Sequence, residues 1–159
     1  MNVIRLLADE VQLMFRRPEQ VQYAALCYRI GPSGLEILVL TSRDTGRWIM
    51  PKGWPMEGKS CHGVAEREAY EEAGVQGKVA SQVYGTYHYQ KELKNGLSIR
   101  CRVMLFPLEV DALLETFPEK GSRAMEWVTC AEAAARVNEG ELKSLILSFP
   151  DYLAQRTAS

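Results

Sequence analysis

The chain has 159 residues, a formal net charge of -1 and a hydrophobic content of 47%. This length fits a single domain around one core. The near-neutral charge argues against a nucleic-acid polymer or an anionic membrane as a partner, and no stretch is apolar for long enough to cross a bilayer. The four cysteines and two histidines lack the spacing of a zinc site or a disulfide framework, so we expect a cytoplasmic protein.

The first predicted elements are a helix and two strands. Apolar residues at helical spacing predict a short helix over residues 3–17, which ends before Pro18. Residues 21–30 are rich in strand formers, and a Gly-Pro-Ser-Gly turn joins them to a second strand over residues 35–42. This second run is apolar enough to be buried on both faces of a sheet.

The remaining elements alternate between helices and strands. The pattern predicts a helix over Cys61–Ala73, one or two strands within residues 77–90 and a hairpin turn at residues 94–96. The last predicted elements are a strand over residues 124–128 and helices over residues 131–137 and 141–154. This order predicts an α+β fold, an α/β/α sandwich in which helices enclose a mixed β-sheet.

The predicted helix Cys61–Ala73 carries a crowded group of acids. One narrow face consists of three alanines: Ala65, Ala69 and Ala73. Beside it, within an arc of about 100°, lie three glutamates: Glu68, Glu71 and Glu72. Like charges at this spacing repel one another, and the end of a helix disfavours anions.

Two explanations fit these acids. One is a solvated acidic surface; the other is an inward-facing site for a hard cation, since all-oxygen ligands select Mg²⁺ or Mn²⁺ rather than zinc. The neighbouring glycines favour the second. Gly74 is a suitable residue to end the helix, and Gly53 and Gly58 allow the backbone to approach an ion or a phosphate closely.

The stretch from Gly53 to Val75 resembles the Nudix box, a glycine, a glutamate, an Arg-Glu pair, a Glu-Glu pair and a final glycine at fixed spacing. The matching positions are Gly53, Arg67, Glu68, Glu71, Glu72, Gly74 and Val75. Two positions depart from it: Lys59 replaces the first glutamate and Ala69 replaces an aliphatic residue. The resemblance implies a Nudix hydrolase domain, which we place at residues 20–157 after a helical extension over residues 1–19.

The resemblance also implies roles for single residues. Glu68 and Glu72 would bind Mg²⁺, or Mn²⁺ in its place, together with the carbonyl oxygen of Gly53. Glu71 occupies the position of a general base, although Glu68 is also a candidate for the catalytic group because the base varies within the family. Arg67 would orient the carboxylates. A late metal ligand is expected downstream, with three candidates: Glu115, Glu119 and Glu126.

Beyond the box, residues 23–137 look most like the diphosphoinositol polyphosphate phosphohydrolases and their relatives that cleave diadenosine polyphosphates. This branch implies a phosphorylated small-molecule substrate held by basic side chains, for which the candidates are Arg43, Lys52, Arg100 and Arg123. However, Val21 and Gln22 stand where animal members carry basic residues. This departure weakens the case for an inositol pyrophosphate and favours a dinucleoside polyphosphate.

Two alternatives remain open. The first is a hydrolase of nucleotide sugars or damaged nucleotides, in which the N-terminal helix serves a homodimer. The second is a binding or regulatory module without turnover, which the departure at Lys59 suggests. The retained glutamates argue against this second alternative, because a module without turnover does not need their mutual repulsion.

Overall fold

The computed structural model describes Ile4 and residues 18–158. Its strands are β1 (Gln20–Gly31), β2 (Gly34–Thr41), β3 (Trp48–Ile49), β4 (Lys52–Gly53), β5 (Val75–Val79), β6 (Gly85–Glu92), β7 (Ser98–Leu113) and β8 (Met125–Val128). Its helices are α1 (Cys61–Ala73), α2 (Cys130–Arg136) and α3 (Gly140–Ala158). Apart from Ile4, the predicted helix over residues 3–17 lies outside the described residues.

One mixed sheet contains all of these strands. Its central path runs β3-β2-β1-β7-β5, and β4, β6 and β8 pair with β1, β7 and β2 respectively. β1 and β7 are parallel, whereas the other pairings are antiparallel. The pair Tyr23–Gly53 joins β4 to β1, so the glycine loop before α1 is attached to the middle of the sheet.

Helices cover both faces of the sheet, which confirms the predicted α+β sandwich. On one face, the three alanines of α1 pack against small and aliphatic side chains such as Ala25, Cys27 and Leu108. On the other face, α2 and α3 cover a core of larger residues that includes Phe149, Ile146 and Tyr87. Within the described part of the chain, no helix combines the length and the apolar character that a membrane span requires.

Most predicted elements occur close to their expected positions. α1 has the predicted bounds, and residues 77–90 contain parts of two strands, β5 and β6. The hairpin turn is present, with Gly96 at a φ of 79°. α3 continues to Ala158, four residues beyond the expected end.

Candidate active site

The sequence fixes both ends of α1. The Ser60 hydroxyl accepts a hydrogen bond from the Gly63 amide at 3.1 Å and caps the first turn. Gly74 has a φ of 68° and ends the helix in the left-handed conformation that glycine adopts without strain. A side chain at Gly74 would also collide with Phe117, since an added Cβ would lie 2.4 Å from its ring. The positions of the glutamates along α1 are therefore well determined.

Gly53 allows a carboxylate to lie directly against the backbone. A Cβ added at Gly53 would be 2.2 Å from Oε1 of Glu68, a separation that side chains do not tolerate. β4 holds Gly53 on β1, while the alanine face holds α1 against the same sheet. The absence of a side chain at Gly53 thus creates a space that the Glu68 carboxylate occupies.

Glu72 is buried at the same place. Its Oε2 accepts a hydrogen bond from the Lys52 amide at 3.1 Å, and its Oε1 accepts one from Nη2 of Arg123 at 3.3 Å. Only 7% of the Glu72 side chain and 8% of the Arg123 side chain are exposed. Glu72 therefore connects the loop before α1 with the segment that precedes β8.

Arg123 gathers several carboxylate and carbonyl oxygens. Besides Glu72, it contacts Oε1 of Glu119 at 3.1 Å and the Thr41 carbonyl oxygen at 3.2 Å. Arg43 approaches the same Glu119 oxygen at 3.4 Å. Nε of Arg123 is buried and has no hydrogen-bond partner among the described residues. Glu119 is thus the candidate late ligand that shares Nη2 of Arg123 with Glu72.

Glu71 has a different environment from its neighbours. Its carboxylate accepts a hydrogen bond from Nε of Arg67 at 2.8 Å, one turn earlier on α1, and both side chains are partly exposed. The Glu71 carbonyl oxygen accepts a bond from the Glu119 amide at 2.9 Å. The predicted pairing of Arg67 with the acids is therefore present and involves Glu71.

The neighbouring positive charges do not offset the effect of burial on the carboxyl groups of Glu68 and Glu72. Burial raises the pKa of Glu68 to about 7, and the nearby Glu71 and Glu119 carboxylates add to this increase. Burial also raises the pKa of Glu72 to about 7, although Arg123 opposes the effect. Lys52 responds in the opposite direction, because burial lowers the pKa of its ammonium group. These directions describe a site in which additional positive charge would be stabilising.

These residues fit a hard divalent cation. Glu68 and Glu72 offer carboxylate oxygens beside the backbone of Gly53, and oxygen-only donors suit Mg²⁺ or Mn²⁺. Among the described residues, no three acidic, histidine or cysteine side chains are already grouped closely enough to hold a metal ion. Glu72 instead contacts Arg123, whose guanidinium partly offsets its charge.

Several residues that were expected at or near the site from the sequence lie elsewhere in the structure. Arg100 contacts Glu19 at 3.1 Å and is exposed on β7. Lys59 lines a shallow outer groove with Glu66, Arg67 and Tyr70. Of the other proposed late ligands, Glu126 pairs with Arg136, while Glu115 is exposed and lines a cavity beside Glu72. The Lys52 amide contacts Glu72, whereas its Nζ lies 5.1 Å from the centre of the Tyr89 ring.

Sequence reasoning missed the role of Thr41 and could not select Glu119. Thr41 contributes its carbonyl oxygen to Arg123, and its hydroxyl accepts a hydrogen bond from the Ala124 amide at 2.9 Å. These contacts join residues 82 and 83 positions apart, so no local sequence signal indicates them. The Glu119–Arg123 spacing of four residues was visible but is common on protein surfaces.

Comparison with known sequences gives a consistent result. The family model of the NUDIX domain matches residues 20–147. Diphosphoinositol polyphosphate phosphohydrolase 3-alpha of Mus musculus is 35% identical over 112 residues, which are 69% of this chain and 64% of that protein. Nudix hydrolase 12, mitochondrial, of Arabidopsis thaliana is 30% identical over 102 residues, 62% of this chain and 50% of that protein. The chain thus matches less than two thirds of the length of these relatives.

Solved structures share the fold. The C. elegans Ap4A hydrolase has a TM-score of 0.63 and 21% identity, and the match covers 86% of this chain and 99% of that chain. The NUDIX domain of Shewanella oneidensis NrtR, solved with ADP ribose, has a TM-score of 0.64 and 16% identity, with coverage of 96% and 99%. At these identities the similarity concerns the fold alone.

Proposed function

Because the chain belongs to the Nudix family, we propose that it is a Mg²⁺-dependent pyrophosphohydrolase. It cleaves a diphosphate linkage in a dinucleoside polyphosphate or a diphosphoinositol polyphosphate by attack of water on phosphorus. The relatives named as hydrolases support the reaction type, and those named for diphosphoinositol polyphosphates and Ap4A support the two substrate classes.

One observation carries this proposal. Glu68 lies against the side-chain-free backbone of Gly53, Glu72 accepts a hydrogen bond from the amide of the adjacent Lys52, and burial raises both of their pKa values to about 7. Burying two carboxylates costs desolvation free energy, which an apolar residue at these positions would avoid. The arrangement is understandable if a divalent cation and the oxyanions of a substrate complete the site.

Each residue then has a task that follows from its position. Glu68, Glu72 and the Gly53 carbonyl oxygen would hold the ion, which when bound supplies positive charge beside the phosphate oxygens and lowers the pKa of water. Glu71 is partly exposed and can accept a proton from the attacking water. Arg67 keeps the Glu71 carboxylate in one orientation through their 2.8 Å hydrogen bond.

The basic residues near the cluster would bind the diphosphate. Arg43 is exposed and approaches the cluster through Glu119, and the backbone amide of Lys52 donates to Glu72. Arg123 is buried between Glu72 and Glu119. Arg100 is exposed on β7 and contacts Glu19, and the assignment of both arginines to the substrate rests on the family resemblance.

The test is phosphate release from a panel containing diadenosine tetraphosphate, a diphosphoinositol polyphosphate and a nucleotide sugar, with and without Mg²⁺. We expect metal-dependent release from at least one of the first two compounds. Glu72→Gln should lower kcat by about a thousandfold, equivalent to about 4 kcal/mol of barrier. Glu66→Gln is the matched control, since Glu66 lies on the same helix but is exposed, and it should retain activity.

The possible results separate the alternatives. Release only from the nucleotide sugar would replace the proposed substrate class and leave the reaction type intact. No metal-dependent release from any compound would favour a binding module without turnover. Undiminished activity of Glu72→Gln would contradict the assignment of Glu72 as a metal ligand.

A further inference from the structure

Arg123 is a buried arginine whose charge is directed at two acids of the site. Only 8% of its side chain is exposed. Its Nη2 donates to Glu72 at 3.3 Å and to Glu119 at 3.1 Å, and its Nη1 donates to the Thr41 carbonyl oxygen at 3.2 Å. Because a guanidinium does not lose its proton in proteins, a permanent positive charge is built into the fold beside Glu72.

Both oxygens of the Glu72 carboxylate already have a donor. Oε2 accepts a hydrogen bond from the Lys52 amide, which carries no net charge, and Oε1 accepts one from the charged guanidinium of Arg123. A divalent cation that binds Glu72 therefore meets a carboxylate whose negative charge is partly neutralised. It also meets a nearby positive charge that repels it, and this repulsion is strong where water is excluded.

Arg123 does not depend on Glu72 to stay in place. Glu119 and the Thr41 carbonyl oxygen hold the guanidinium from other sides, and the Thr41 hydroxyl accepts a hydrogen bond from the Ala124 amide at 2.9 Å. Nε of Arg123 is buried and has no partner among the described residues. The guanidinium would therefore remain close to Glu72, with its charge, after a cation has bound.

Arg43 provides a contrast with the same charge. It contacts the same Glu119 oxygen as Arg123, at 3.4 Å, but 57% of its side chain is exposed. Water and salt screen the charge of an exposed arginine, so its effect on a buried carboxylate is small. The chain thus offers two arginines on one acid, of which the buried one also contacts Glu72.

We propose that Arg123 is a positioning residue that acts as an internal counter-ion of Glu72 and thereby lowers the affinity of the site for a divalent cation. The inference rests on the metal ligands of the proposed function and adds to it a residue that opposes metal binding. The counter-ion offsets part of the cost of burying Glu72 when no cation is bound. The same contact makes the guanidinium and the cation competitors for one carboxylate, so each weakens the binding of the other.

The first test is the Kd for Mn²⁺, measured without substrate from the electron paramagnetic resonance signal of free Mn²⁺. The pH should lie above the pKa values of Glu68 and Glu72. Arg123→Gln should lower the Kd by about tenfold, because the competing charge is removed. Arg123→Lys keeps the charge and Arg43→Gln removes an exposed one, so both should stay within about twofold of the wild type. An unchanged or higher Kd in Arg123→Gln would overturn the inference.

A melting experiment separates the counter-ion from a purely structural arginine. With EDTA, Arg123→Gln should have a lower Tm than the wild type, because Glu72 loses its charged partner. At one fixed concentration of Mg²⁺ this difference should become smaller, since a chain that binds the cation more tightly gains more stability from it. A difference of the same size with EDTA and with Mg²⁺ would mean a structural role and would overturn the inference.

A measurement on the wild-type chain keeps the inference testable if Arg123→Gln does not fold. The Nε–H NMR signal of Arg123, identified by its absence in Arg123→Lys, should shift when Mg²⁺ is added, and no shift would overturn the inference. Tighter Mn²⁺ binding by Arg123→Gln without phosphate release from any compound would retain the role of Arg123 and contradict the proposed hydrolysis. Metal-dependent release with equal Kd values in the two chains would retain the hydrolysis and contradict this role.

Discussion

The two faces of the sheet differ in the size of the side chains that hold their helices. The face under α3 is filled by large groups, with the Phe149 ring 5.1 Å from that of Tyr28 and 5.3 Å from that of Tyr84. The face under α1 is built on alanines, and Ala65 and Ala69 are fully buried. Small side chains allow α1 to lie close to the sheet, and this closeness brings Glu68 against Gly53.

This difference in side-chain size suggests different roles for the two faces of the sheet, stability for the α3 face and catalysis for the α1 face. Large buried side chains contribute most of the hydrophobic free energy, and the face under α3 has the larger share of them. The face under α1 has less to bury, and it also contains two carboxylates with raised pKa values. We therefore expect substitutions on the α3 face to alter folding and substitutions on the α1 face to alter turnover.

The largest expected effect is on the α3 face. Phe149→Ala should lower the free energy of unfolding by about 3–5 kcal/mol, because it leaves a cavity in the core. Turnover per folded molecule should be unchanged, since Phe149 does not approach the glutamates. Leu147→Ala is the control on the same helix; Leu147 is 58% exposed, so the change should stay within about 0.5 kcal/mol. Urea denaturation and kcat measured on the same samples would sharpen the comparison.

The next largest effect is expected at Gly53. Gly53→Ala should lower kcat by about a hundredfold, because the new methyl group displaces the Glu68 carboxylate. Gly140→Ala is the matched control, since a Cβ there meets nothing within 4 Å. If Gly53→Ala and Gly140→Ala have the same kcat, the close approach of Glu68 to the loop has no catalytic importance.

A smaller effect is expected from enlarging one alanine on each face. Ala69→Leu and Ala133→Leu should each destabilise the fold by about 1–3 kcal/mol, because both sites are fully buried. Only Ala69→Leu should also lower turnover, by about tenfold, since it moves α1 away from the sheet. Equal turnover in the two variants would remove the distinction between the faces.

The smallest effect concerns pH. In the metal-free protein the pKa values of Glu68 and Glu72 are raised from an ordinary 4.5 to about 7. Between these pH values the unfolded chain binds fewer protons than the folded one, so the free energy of unfolding falls as pH rises from about 4.5 to about 7. Below pH about 4.5, Glu68 and Glu72 are protonated in both the folded and the unfolded state, so their burial no longer lowers the free energy of unfolding.

Tm measured with EDTA at several pH values would show this fall, and Mg²⁺ should reverse it above pH 7. The double variant Glu68→Gln/Glu72→Gln should have a flatter pH profile than the wild type. If the metal-free wild type instead becomes more stable across this window, the two carboxylates are less buried than the structure indicates.

The sequence predicted the fold well where the signals are local or strongly periodic. α1 was predicted with its bounds, and Gly74 was the residue expected to end it. β2 was predicted to be buried because residues 37–40 are uninterruptedly apolar. The family was also evident from the spaced residues between Gly53 and Val75, and the match over residues 20–147 confirms it. The boundary at residue 20 and the roles of single residues stay predictions.

The candidate site was predictable only in part. Glu68, Glu72 and Gly53 were grouped because they lie within twenty residues and follow one pattern, and their shared role stays a prediction. The basic residues were harder to assign. Arg123 joins the cluster, whereas Arg100 contacts Glu19, and both looked alike as isolated arginines in the sequence.

The sequence by itself determined the family, the acid-rich helix and the glycine that receives its carboxylate, because these features depend on spacing along one short segment. Only the tertiary structure decided that Arg123 contacts both Glu72 and Thr41, since these contacts span 51 and 82 positions, and that Glu119 shares the same guanidinium. The same holds for the apolar cavity beside Glu72, whose lining comes from β2, α1, β8, the end of β7 and the residues after it. Long-range packing sets these distances, and no local pattern records them.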